Sequence, residues 1–172
     1  MDALRRLRPL PIVSADPALD RDTEAFYEAL SELIRVYEFR DRDRICCYDI
    51  SVSQCYALEA VVRGSELTLN DLAARLYLDK STASRVVDAL ERKGYVERQP
   101  HPEDRRSLLL RPTPAGREME QRIRRDILTE EQALLADFDP EIRQAMTQLI
   151  RRLARAAASR VDAAGGSCCR IP

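Results

Sequence analysis

Residues 67–116 read LTLNDLAARLYLDKSTASRVVDALERKGYVERQPHPEDRRSLLLRPTPAG. From Leu69 to Leu76 the stretch reads as a short helix, with Thr68 or Asn70 near its start. A second helix is expected from Lys80 to Lys93, where Gly94 supplies the left-handed stop. Tyr95–Gln99 and Ser107–Arg111 then read as two short strands, on Val96 and on Leu108, Leu109 and Leu110. Between them PHPEDRR, with two prolines, forms a turning loop.

Two short helices separated by LYLD and followed directly by a hairpin make a winged helix-turn-helix. For the second helix to enter a DNA major groove it must present short polar side chains along its N-terminal half. Lys80, Ser81, Thr82, Ser84 and Arg85 meet that need, while Val86, Val87 and Leu90 form the opposite, core-facing side. Arg105 and Arg106 at the hairpin tip suit backbone phosphate or a narrow minor groove. Taken alone, Asp104-Arg105-Arg106 reads equally well as an ordinary charged turn, and Lys80 or Arg85 as surface residues.

The same stretch resembles the MarR family of bacterial transcription regulators. The resemblance rests on STASRVVDALERKGYVER, the wing residues Asp104-Arg105-Arg106, LRPTPAG leading into the next helix, and LTLNDLAARL before them. It implies a homodimer with interlocking N- and C-terminal helices, bound to a pseudo-palindromic operator in double-stranded DNA and acting as a repressor. Carried over, Ser81, Thr82, Ser84 and Arg85 would face base edges or nearby phosphates, with Lys80 beside them. Asp104 would hold a wing arginine in place, and Arg106 or Arg105 would enter the minor groove.

Working outward, the chain between an extended N-terminal arm and a C-terminal tail reads as helix. Phe26, Leu30, Leu33, Ile34 and Tyr37 recur at helical steps from Asp20 to about Arg42, with RDRDR at 40–44 as a solvated helix end. Ser51–Gln54 fits a capping box opening a second helix to about Val62, which Gly64 ends. Helices from Pro114 to Leu135 and from Pro140 to about Ala164 complete the chain, the last with Ile142, Met146, Leu149, Ile150 and Leu153 on one face. The expected fold is therefore mainly α with a small β-hairpin wing. Its expected parts are an extended arm (1–20), dimerisation helices (21–50 and 114–164), a winged DNA-binding region (51–113) and a tail bearing cysteines (165–172).

Composition narrows the function classes. The overall charge is −1, but residues 80–111 hold 8 Arg/Lys against 5 Asp/Glu, and residues 1–50 hold 8 against 11. Local positive charge facing phosphate, rather than a basic protein overall, is what nucleic-acid binding needs. No run of apolar residues is long enough to span a membrane, and MDALRRLRPLPIV lacks a signal-peptide core, so a cytoplasmic location is expected. The one histidine, His101, falls in the wing, and no phosphate-binding glycine loop or dinucleotide fingerprint appears. An enzyme is not expected, and no cofactor is required. An interaction module without DNA affinity fits the Lys80–Arg85 composition poorly.

Five cysteines remain: Cys46, Cys47 and Cys55 close together, with Cys168 and Cys169 near the C-terminus. Three readings stay open. They are buried small hydrophobes, soft ligands for a thiophilic ion such as As(III), or thiols oxidised by a peroxide or electrophile. Three sulfurs without a histidine suit a trigonal metalloid better than tetrahedral zinc, and Cys168 and Cys169 could add ligands. The CC and SQC segments loosely resemble MarR-like regulators linked with arsenic handling. The rival reading is a repressor released by a small aromatic ligand in the dimer crevice, with structural cysteines.

Overall fold

A computed structural model describes residues 16–45, 47–64, 66–102 and 107–163. The chain divides into two compact units, one ending at Asp43 and one beginning at Arg44.

Nearly all of α1 (Pro17–Ile45) lies in the first unit. It begins before the expected Asp20 because the Asp16 carboxylate accepts from the Ala18 amide at 3.0 Å and proline is tolerated in a first turn. Phe26, Tyr27, Leu33, Ile34, Val36 and Phe39 stay exposed along it. The 40–44 run is not uniformly solvated: Arg40 lies 4.1 Å over the Tyr37 ring and pairs at 2.9 Å with Asp41, which is buried.

In the second unit, α2 (Val52–Arg63) is the central helix. Ser51 Oγ accepts from the Gln54 amide at 3.3 Å, and Gln54 Oε1 accepts from the Ser51 amide at 3.2 Å, so the expected capping box is present. Ala57, Leu58 and Val61 are fully buried on its inner face. Gly64 ends it by donating to the Ala60 carbonyl at 2.9 Å. A two-residue strand, β1 (Leu67–Thr68), follows and was not expected from the sequence. Thr68 caps α3 (Leu69–Arg75), whose Asp71 carboxylate accepts from the Thr68 amide at 3.0 Å.

Asp79 then caps α4 (Lys80–Arg92), which is followed by β2 (Val96–Pro100) and β3 (Leu108–Pro112). The sheet is antiparallel in the order β1-β3-β2, with Leu67 and Arg98 flanking Leu110. The His101 amide donates to the Ser107 carbonyl at 3.0 Å and closes the base of the wing loop. Thr113 caps α5 (Pro114–Ala136), and α6 (Pro140–Ala163) ends the described chain.

One core joins α2 through α5 and the sheet. Leu58 and Val61 of α2 meet Leu72 of α3, Val87 and Leu90 of α4, Val96 of β2, Leu110 of β3 and Ile123 of α5. Truncating a side chain such as Leu90, which is fully buried, to alanine costs about 2–5 kcal/mol. The core therefore sets α4 rigidly, with its other face outward.

Candidate nucleic-acid interface

The helix-turn-helix geometry starts at the end of α3. The Tyr77 amide donates to the Ala74 carbonyl at 3.2 Å and the Leu78 amide to the Ala73 carbonyl at 2.9 Å, which is a Schellman closure. Its turning residue, Tyr77, adopts φ 53°, a left-handed conformation usually filled by glycine. The chain thus turns within Leu76–Asp79 before α4 begins.

Along α4, Ala83, Val87 and Leu90 are fully buried, while Lys80, Ser81 and Arg85 are exposed and Thr82 and Ser84 half-buried. The five residues singled out from the sequence therefore share the N-terminal part of one helix, turned away from the core. The C-terminal half is different. Arg98 of β2 is held between two carboxylates there, Asp88 at 2.5 Å and Glu91. At the N-terminal half the cations are Lys80 and Arg85, with Asp79 beside them.

Sequence reasoning passed over Asp79, the residue that organises this end. Its Oδ1 accepts from Ser81 Oγ at 2.6 Å and from the Thr82 amide at 2.9 Å; its Oδ2 accepts from Thr82 Oγ1 at 2.7 Å. Arg85 Nη2 in turn donates to Thr82 Oγ1 at 2.9 Å. The Ser81 hydroxyl first, then the Thr82 amide and hydroxyl, hold the Asp79 carboxyl well below the usual carboxylate range. An aspartate immediately before a helical Ser-Thr pair was the available signal.

The far end of α4 is tied down as well. The Gly94 amide donates to the Glu91 carbonyl and the Tyr95 amide to the Leu90 carbonyl, both at 2.9 Å, around the left-handed Gly94 at φ 73°. Thr113 Oγ1 donates to the Gly94 carbonyl at 2.6 Å while accepting from the Gly116 amide at 3.0 Å. Lys93 pairs at 3.0 Å with Asp49, in the corner that leads into α2.

That corner holds the first of the two cysteines within the described residues. Cys47 is exposed there, and Cys55 is buried on α2. Next to Cys47, Tyr48 donates through its hydroxyl to the Asp126 carboxylate of α5. This bond foremost, with burial and the Asp126 charge adding and the Arg122 charge opposing, pushes the Tyr48 hydroxyl above its ordinary pKa. Arg44 pairs with Glu130 at 2.5 Å, again on α5. Two cavities adjoin. One of about 220 Å³ between α2 and α5 is lined by Cys55, Leu58, Ile123 and Ile127. The other, of about 420 Å³, is lined by Cys47, Tyr48, Ile123, Asp126 and Ile127.

The remaining expected site residues, Asp104, Arg105, Arg106, Cys46, Cys168 and Cys169, lie outside the described residues. Among the described residues no group of three His, Cys, Asp or Glu side chains is arranged to hold a metal ion. No described helix is long and apolar enough to cross a membrane.

A sequence model of the MarR family matches residues 48–107, which run from this corner through the wing. Over that stretch the chain is similar to the MarR family. YdgJ, an HTH-type transcriptional regulator of Bacillus subtilis, is 29% identical over 107 residues, 62% of this chain. The chain spans 65% of that relative's length, just under two thirds. A MarR transcriptional regulator from Methanosarcina mazei superposes with a TM-score of 0.70 at 26% identity, covering 79% of this chain and 98% of that one. The PcaV transcriptional regulator of Streptomyces coelicolor, solved with its natural ligand, gives 0.59 at 28% identity over 74% and 92%. All three of these proteins are transcriptional regulators. The expected winged helix-turn-helix is the observed fold, with β1 added to the hairpin.

Proposed function

We propose that this chain is a DNA-binding transcription regulator, a repressor that reads a pseudo-palindromic operator as a homodimer. The observation that supports this best is the division of α4: Ala83, Val87 and Leu90 inside, Lys80, Ser81 and Arg85 outside at its N-terminal end. Such a helix inserts its first turns into a major groove, with Thr82 and Ser84 close behind. Arg105 and Arg106, oriented by Asp104, reach the flanking backbone or minor groove from the wing. The exposed apolar residues on α1 and on α6 supply the surface of the homodimer.

Control by thiols is the reading we favour for the signal. Cys47, Tyr48 and Asp49 are consecutive, and the latter two bond α5 and the C-terminal end of α4 respectively. A metalloid such as As(III) bound by Cys46, Cys47 and Cys55, with or without Cys168 and Cys169, would pull on that corner and so on the recognition helix. Oxidation of Cys47 by a peroxide would load the same lever. A second reading has its own support in the cavity beside Cys55, where Leu58, Ile123 and Ile127 face a small aromatic ligand and Glu120 and Arg124 add polar groups.

The test of DNA binding is a gel-shift series on duplexes selected from a random pool. Arg106→Ala is expected to weaken binding without unfolding the protein; unchanged affinity removes the wing from the account. The sensing arm titrates arsenite, mercuric ion, zinc and peroxide against the bound complex. Release that survives joint replacement of Cys46, Cys47 and Cys55 by serine removes this cluster from the sensing account.

A further inference from the structure

Asp79 does more to α4 than cap it. A carboxylate that stays ionised can only accept hydrogen bonds, so both hydroxyls bonded to it must spend their single hydrogen there. Ser81 Oγ at 2.6 Å and Thr82 Oγ1 at 2.7 Å therefore present lone pairs, not hydrogens, to anything approaching from solvent. One Thr82 lone pair is taken by Arg85 Nη2 at 2.9 Å. Ser81 is exposed and offers its lone pairs outward. Arg85, one turn further on, has no acceptor and can only donate.

Phosphate oxygens are themselves acceptors, so a serine with its hydrogen committed gains nothing from them, and the adjacent carboxylate repels them. In the major groove the donors are the amino groups of adenine N6 and cytosine N4, whereas guanine offers the acceptors N7 and O6. We propose that Asp79 is a specificity-setting positioning residue: by fixing the hydrogen polarity of Ser81 and Thr82 it makes Ser81 read a base amino group, on adenine or cytosine, beside the acceptor-rich guanine edge suited to Arg85. The proposal rests on the DNA-binding reading above and adds to it which base edge each residue recognises.

The experiment uses the full chain and a duplex selected by it from a random pool. At each half-site position adenine is replaced by unsubstituted purine, or cytosine by pyrimidin-2-one, which deletes the amino group alone. At one position per half-site this deletion should weaken wild-type binding roughly five- to tenfold. The same deletion should change binding of Ser81→Ala less than about twofold, since the partner oxygen is already gone. Asp79→Ser keeps an oxygen to cap the Thr82 amide but removes the two-oxygen acceptor, freeing the Ser81 hydrogen. Selection with that variant should lose the adenine or cytosine preference at that position while far-UV circular dichroism shows the helices intact.

An amino deletion that costs wild type and Ser81→Ala equally overturns the proposal. So does an Asp79→Ser variant that selects the wild-type base there, because a merely structural cap would leave base preference unmoved. If wild type enriches no duplex at all, the DNA-binding reading fails first and this inference falls with it.

Discussion

At Tyr77 the backbone takes a left-handed turn with a side chain that gains little from it. The position lies between α3 and α4, φ is 53°, and the ring is largely exposed. A left-handed conformation costs a non-glycine residue about 1–2 kcal/mol, partly offset in a glycine variant by its looser unfolded chain. Tyr77→Gly is therefore expected to stabilise the fold by about 0.5–1 kcal/mol in thermal unfolding; a lower melting temperature would show that the ring contributes packing. Gly116 is the opposite case. A Cβ there would lie 2.0 Å from the Tyr95 carbonyl oxygen, a backbone atom that cannot turn aside. Gly116→Ala should destabilise by about 1–3 kcal/mol, read by chemical denaturation. Gly94 was legible in the sequence because glycine after a periodic helix signals its stop, and Gly116 was seen only as part of a motif. Tyr77 gave no signal, since nothing in a tyrosine announces positive φ. Asp79 is hard to single out because LYLD reads as a turn, although an aspartate just ahead of Ser-Thr is a capping pattern.

Most elements follow from caps and apolar periods, and their ends fall within a few residues of the expected positions. β1 escaped because two residues hold no alternation; it exists through its partner, where Leu67 and Thr68 pair with Leu110 and Leu109. The ties between elements were not legible either, since they join residues far apart in sequence. Tyr48 to Asp126 is the clearest. Its folded-state pKa is raised, so the stability it contributes is fully present below the ordinary tyrosine value near 10.0 and is lost as pH rises through the folded value. Tyr48→Phe should therefore be less stable than wild type at neutral pH, and the gap should close in denaturant titrations carried to strongly alkaline pH. A gap that persists there would mean that the hydroxyl proton is not what joins the corner to α5. The Asp79 and Asp71 caps carry the opposite sign: both carboxyls are lowered, so their contribution is complete above the usual value of 3.8 and fades as pH falls below it.

For the molecule as a whole, the sequence showed apolar faces on the outer helices but not what covers them. Leu149 and Ile150 on α6 are 65% and 57% exposed, more than half-bare side chains within one continuous helix. A second copy is the proposed cover. Leu149→Glu with Ile150→Glu should convert a sedimenting dimer into a monomer; unchanged sedimentation would place the interface elsewhere. The cysteines remain the least legible feature, because a spacing of thiols says nothing about which are exposed, and only Cys47 and Cys55 are now placed. The central claim, that the outward half of α4 reads DNA in a twofold assembly, is tested most directly by hydroxyl-radical footprinting of wild type and Arg85→Ala on a selected duplex. The account predicts two symmetric protected half-sites about one helical turn apart, lost in Arg85→Ala at matched protein concentration. A single unsymmetrical footprint, or protection that Arg85→Ala leaves unchanged, would contradict it.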